Sequence, residues 1–193
     1  MTYATKPPSC DPSRVRGMSE PRIVSHYETD YGGAVKRLNL IDEKHDYATA
    51  PGFLLNGLKR EQLIATNSMI LLDVFLEGLG DESEPEASLK DALARGFGSL
   101  DRWRAEFIAM GKALGGGSGW VLLSWSPRDR QLVNQWASDH WHTLAGGTPT
   151  LALDMYEHSY HIDRGAKAAD YVDVFMSAIN WPAVQRSYGG LQR

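Results

Sequence analysis

Helical patterns, with breaks between them, occupy residues 19–114 of this chain, and β-forming runs are confined to residues 120–154. That order restricts the fold to an α+β type in which helices come first and a small sheet follows. After an irregular arm rich in Pro, Ser and Arg (residues 1–18), Ser19-Glu-Pro-Arg22 reads as a helix start: a capping hydroxyl, an acid, and Pro21 in the first turn. From Ile23 to Leu40, residues Ile23, Tyr27, Tyr31, Ala34, Val35 and Leu38 share one helical face. Gly32-Gly33 weakens that helix by about 1 kcal/mol per glycine, so a kink or a close backbone approach is expected there. Pro51-Gly52 breaks the chain. A second helix is expected from Asn56 to Gly78, and the two should form an antiparallel hairpin.

The acidic stretch Asp81-Glu-Ser-Glu-Pro-Glu86 reads as a domain boundary. It divides an N-terminal arm and helical-hairpin domain (1–84) from a C-terminal α/β domain (85–193). Two shorter helices, Ser88–Arg95 and Ser99–Leu114, each open on a serine suited to an N-cap. Gly115–Gly119 punctuates the chain. Trp120–Trp125 and Leu132–Trp136 flank Ser126-Pro-Arg-Asp-Arg130 and read as a hairpin. Leu151–Asp154 is a third strand, giving a small antiparallel three-stranded sheet with helices around it. A last helix is expected from about Ala168 to Tyr188. Trp120, Trp125, Trp136 and Trp181 are assigned to the core, and Trp141, between two histidines, to a pocket wall.

Composition narrows the function. The chain has 193 residues, 42% hydrophobic and 23% charged, which is ordinary for a globular protein. A net charge of -4 and a pI near 5.8 argue against nucleic acid or an anionic membrane as partner. The lone Cys10 allows neither an internal disulfide nor a thiolate cluster. The first 25 residues hold no apolar run of signal-peptide length, and Met69–Leu72 is far shorter than a membrane span. A cytoplasmic protein is expected.

The densest cluster of chemically competent residues is Asp154-Met-Tyr-Glu-His-Ser-Tyr-His161, where an acid and an imidazole stand four apart at the end of a strand. Carboxylate with imidazole suits iron, manganese or zinc. The spacing alone fits a turn-capping Asp and a packed His at least as well, since a metal site needs further ligands.

This segment resembles the Asp-x-Trp-Glu-His-Ala-Tyr-Tyr pattern of the iron/manganese superoxide dismutases. Asp154, Glu157, His158 and Tyr160 match, while Tyr156, Ser159 and His161 depart. Phe97-Gly-Ser99, Gly117-Ser-Gly-Trp120, Thr148-Pro149 and Asn180-Trp181 are similar to further landmarks of that family, the last closing its C-terminal helix. His26-Tyr27, followed twelve residues on by Leu38-Asn39, occupies the place of the family's first ligand. The resemblance covers about residues 19–190. It implies one iron or manganese ion held by His26, Asp154 and His158, and a homodimer in which Glu157 of one subunit braces His158 of the other.

Four departures touch that site. The family's second ligand His corresponds to Ser68, after Asn67. Asp73 stands five residues on and should face elsewhere. The family's funnel Tyr is Ala34, and its His four residues after the first ligand is Asp30. Its solvent-tuning Gln falls at Ile64 or near Asp139-His140. His140 or His142 could replace the missing imidazole, although solvated loop residues or a hydrogen-bond network account for them at least as well; with no replacement the set is two His and one carboxylate, with open positions. Asp30 and His161 are expected to pair across the dimer. Tyr31, Ala34, Trp141, His140 and Glu157 are the remaining pocket candidates.

Three readings result. The first is superoxide disproportionation to dioxygen and hydrogen peroxide, at a rate reduced by the lost His. The second is a different mononuclear non-haem metal-dependent oxidoreductase, whose enlarged pocket admits an organic substrate. The third is a metal-free structural or interaction protein.

Overall fold

A computed structural model describes residues 2–43, 47–80 and 83–191. The first long helix starts as α1 (Glu20–Ser25), passes through a π segment (His26–Tyr31) and continues as α2 (Gly32–Glu43). Ser19 caps it as expected, its hydroxyl accepting from the Arg22 amide, with Pro21 in the first turn. The helix is irregular directly before Gly32-Gly33, in the π segment; a Cβ at Gly32 would stand 3.6 Å from the Tyr27 carbonyl oxygen, and one at Gly33 would meet nothing within 4 Å.

Helix α3 (Gly52–Glu77) starts directly after the Pro51 break, four residues before the expected Asn56. It runs antiparallel to α2. Arg37 pairs with Glu61, Gln62 donates to Asp42, and Tyr31 meets Asp73, so the contacts descend along α3 as they ascend along the first helix. The N-terminal arm is docked rather than loose. Tyr3 and Asn39 exchange two hydrogen bonds, the Lys6 amide donates to the Tyr31 hydroxyl, and Val15 and Met18 are buried.

Helices α4 (Ala87–Phe97) and α5 (Leu100–Ala113) follow. Ser99 caps α5, but no side chain caps α4, whose N-cap is Glu86 and not Ser88. The sheet has β1 (Trp120–Ser126) at its centre, with β2 (Gln131–Ala137) and β3 (Thr148–Asp154) antiparallel on either side. Central β1 is almost wholly buried, while edge strand β2 exposes Gln131 and Trp136.

After a 3-10 turn (Glu157–Ser159) and the short α6 (His161–Arg164), the C-terminal region forms two helices, α7 (Ala168–Ser177) and α8 (Trp181–Gly190), instead of one. The break has a cause. Residues 78–80 cross the chain there, with the Gly80 amide donating to Ala178 and the Asn180 amide to Gly78. Asn180 therefore starts α8, capping it through the Ala183 amide, and does not close the preceding helix. The acidic boundary at 81–86 lies partly outside the described residues.

One core runs from Val35, Leu71 and Phe75 of the first helices, through Trp120–Leu123 and Leu151–Leu153, to Phe175 and Trp181. Trp120 and Trp181 are core as expected, and so is Trp103, which sequence reasoning did not single out. Trp136 is not: it faces outward from β2 and is 54% exposed.

Candidate metal centre

Asp154 ends β3 opposite Trp120 on β1 and is wholly buried. Its Oδ1 accepts from the Tyr156 amide at 2.9 Å, which turns the chain out of the strand. Its Oδ2 lies 3.3 Å from Nε2 of His26 and 3.3 Å from Nε2 of His158. His158 reaches it from the 3-10 turn that this exit creates, four residues on. His26 comes from the other half of the chain, at the first residue of the π segment. The three residues that the resemblance implied therefore meet at one carboxylate oxygen.

Electrostatics support the arrangement. Burial opposes ionisation of Asp154, but the two imidazoles outweigh it and hold the carboxyl well below the usual range. Burial pushes His26 down, against the pull of Asp154, so this ring is neutral at pH 7. At His158 burial is outweighed by the Asp154 carboxylate, and its pKa rises.

His26 carries the decisive detail. It is 1% exposed, and neither ring nitrogen has a hydrogen-bond partner among the described residues. Its approach to Asp154 is close but lacks hydrogen-bond geometry. Buried polar groups are nearly always satisfied. A neutral imidazole with orphaned nitrogens beside an ionised carboxylate and a second imidazole fits a divalent or trivalent cation as the missing partner.

The other candidates fall into two groups. Ser68, Asp30, Ala34, Ile64 and His140 line one cavity of about 250 Å³ beside the centre, together with Arg37. His140 is fixed there by three contacts. Its Nδ1 accepts from Trp120 Nε1 at 3.1 Å, its carbonyl accepts from Asn67, and its ring stacks on Tyr156 at 5.1 Å. The bond to Nδ1 leaves the proton of the neutral ring on Nε2. His142 is held elsewhere: it shares a hydrogen bond with Ser138 and stacks on exposed Trp136, so it does not replace the missing imidazole.

Trp141 stacks under the Arg60 guanidinium, 4.3 Å away, and does not line this cavity. Tyr31 is buried, with its hydroxyl turned to Lys6 and Asp73. Asp73 faces away from Ser68, as expected, and pairs with Lys6. Glu157 and His161 are exposed on the single chain, beside His158, whose side chain is 41% exposed.

Sequence reasoning missed Arg22. This guanidinium is 1% exposed, donates to the Ser159 carbonyl and to the Tyr171 hydroxyl, and sits between the rings of Phe75 and Tyr171 at 5.6 and 5.2 Å. It braces the turn that carries His158. The available signal was spacing, because Arg22 precedes His26 by four residues and so shares its face. Tyr156 was read only as a departure, yet it stacks on both His140 and His158 and donates to Asp139.

Residues 85–187 match the family model for the C-terminal domain of iron/manganese superoxide dismutases. The chain belongs to that family. It is 66% identical over 184 residues to the iron superoxide dismutase of Cupriavidus metallidurans, covering 94% of this chain and 93% of that protein. It is 33% identical to a manganese superoxide dismutase of Halobacterium salinarum, covering 89% of this chain and 86% of the relative. An iron superoxide dismutase of Aquifex pyrophilus is 29% identical over 188 residues. Relatives of the family thus carry iron in some cases and manganese in others, in keeping with the mixed imidazole and carboxylate donors at residues 26, 154 and 158.

Proposed function

We propose that this chain disproportionates superoxide at a single iron or manganese ion held by His26, Asp154 and His158. The observation that carries the reading is the fully buried His26, both of whose ring nitrogens lack partners beside an ionised Asp154. The iron enzyme of Cupriavidus metallidurans, similar over nearly its whole length, supports it. When bound, the ion supplies one-electron redox chemistry between its +2 and +3 states.

The residues of the chain supply the rest. His26 and His158 give neutral nitrogen donors, and Asp154 gives the anionic one. His140, with Nδ1 occupied by Trp120, holds a proton on Nε2 at the cavity wall. Two superoxide ions and two protons give one dioxygen and one hydrogen peroxide. Proton delivery is therefore half of the chemistry, and a hydrogen-bonded imidazole beside the centre serves it.

A homodimer accompanies this reading. Exposed Glu157 and His158 lie side by side, and Glu157 of the partner subunit would hold the His158 ring. Helical-hairpin residues 1–84 and α/β residues 85–193 then serve as two domains that contribute one and two ligands respectively. An acidic chain with a single cysteine suits the cytoplasm.

The test is elemental analysis of freshly purified protein grown with iron and manganese, alongside His26→Ala and His158→Ala, followed by a superoxide assay. About one ion per chain, lost in both variants, with superoxide turnover in the parent, is the expected result. Protein that holds neither metal refutes the reading.

A further inference from the structure

Arg22 is a cation sealed in the core without an anion beside it. The side chain is 1% exposed, yet no carboxylate of the described residues forms an ion pair with it. Its nitrogens meet neutral partners instead. Nε donates to the Ser159 carbonyl, Nη1 lies 2.7 Å from the Met18 sulfur, and Nη2 donates to the Tyr171 hydroxyl at 3.3 Å. The rings of Phe75 and Tyr171 flank the guanidinium. Arginine is almost never fully buried unless paired, and a guanidinium does not shed its proton. Hydrogen bonds and ring faces satisfy its donors but leave its charge uncancelled.

That charge stands close to the candidate metal centre. Arg22 and His26 are four apart on the first long helix and share a face. Both pack on the Phe75 ring, the guanidinium carbon 5.6 Å and the His26 imidazole 4.8 Å from its centre, so the two stand at most 10.4 Å apart. On its other side Arg22 holds the carbonyl of Ser159, the residue next to His158. Behind burial and Asp154, its charge works against protonation of both ligand imidazoles. Resting on the metal reading above, we infer that Arg22 tunes the bound ion: its buried charge raises the reduction potential at the site. A fixed cation repels an ion of charge +3 more than one of charge +2, so it disfavours the oxidised state. At an effective dielectric constant of about 20 and a separation of about 10 Å, one unit of charge alters the ratio of oxidised to reduced ion by about tenfold. Asp154, the anionic donor, favours the +3 state, and Arg22 offsets it. Superoxide is both oxidised and reduced in disproportionation, so the potential at the site must lie between two limits. Buried charge and hydrogen bonding around a metal are among the levers by which proteins set it.

Redox titration of iron-loaded protein tests the inference. The proteins are the parent, Arg22→Lys, Arg22→Gln, Met18→Glu and Met18→Gln. Met18 is buried and touches Nη1, so a glutamate there sets a carboxylate against the guanidinium without removing it, and glutamine is its uncharged match. Arg22→Gln and Met18→Glu should each lower the potential by about 59 mV or more, a tenfold change in the ratio of oxidised to reduced ion. Arg22→Lys and Met18→Gln should stay within about threefold of the parent ratio. Urea unfolding of the metal-free proteins reports the structural role of Arg22 separately. Lower stability with an unchanged potential in Arg22→Gln and Met18→Glu makes Arg22 a brace alone and overturns the inference. So does an Arg22→Lys protein whose potential falls as far as that of Arg22→Gln. Where Arg22→Gln does not fold, Met18→Glu against Met18→Gln decides. A parent that holds no iron refutes the metal reading itself, a result distinct from an unshifted potential.

Discussion

Gly119→Ala tests how rigidly the sheet fixes the metal centre. Gly119 precedes β1 with φ +135°, and a Cβ there would stand 2.2 Å from the Ala137 carbonyl oxygen on β2. A side chain in this region of backbone space costs about 1–3 kcal/mol, and forcing a methyl group into packed surroundings costs about 1–3 kcal/mol more. The substitution should destabilise the protein by about 2–6 kcal/mol. For a chain of this size that lowers Tm by about 4–24 °C. The Gly119 carbonyl also accepts from the Met155 amide at 2.9 Å, so a displaced Gly119 drags the residue next to Asp154. Metal content should fall with stability. Gly116→Ala is the control: φ is +83° but nothing lies within 4 Å of the added Cβ, so only the backbone contribution applies. The assay is thermal and urea unfolding of metal-free protein, which removes stabilisation by bound ion. A Gly119→Ala protein that melts within 2 °C of the parent, or no lower than Gly116→Ala, refutes the reasoning.

Gly57 lies in the exposed first half of α3 with open space around it. Gly57→Ala should add about 1 kcal/mol by helix propensity and raise Tm by about 2–4 °C in a calorimetric scan. Loading with Mn(II) at a thousand times Kd should stabilise the parent by about 4 kcal/mol, or about 8–16 °C in Tm. His26→Ala should abolish that difference between metal-loaded and metal-free protein. Arg22→Lys keeps the charge but loses the planar fork between Phe75 and Tyr171. It should lower stability in urea by about 1–3 kcal/mol, and an unchanged midpoint would remove Arg22 from the account of what holds the His158 turn.

How much of the fold was legible in the sequence depends on whether the cause was local. Ser19, Ser99 and the strand runs act within one turn or one pair of strands, and their positions came out within a few residues. The break between α7 and α8 was invisible because its cause is remote. Residues 78–80 cross at Ala178 and Asn180, some hundred positions away, and replace the helical hydrogen bonds there. Trp136 was misplaced for a similar reason. Its composition says core, but it stands on edge strand β2 and is exposed there.

The site divides along the same line. His26, Asp154 and His158 were readable as a set only through the family resemblance, because spacing alone fits a turn-capping Asp and a packed His at least as well. The loss at Ser68 was readable too, as a substitution in a pattern. The face that the π segment turns toward the 157–159 turn was not readable, because no periodicity announces a π segment. Sequence reasoning placed Asp30 toward a partner subunit's His161. In the single chain, Asp30 shares a cavity with Ser68 and stands beside both ligand imidazoles. An extra residue in one helical turn rotates the residues before it by about 100° relative to the rest of the helix. That rotation decides which acid of the first helix can face the His158 ring carried by the other half of the chain.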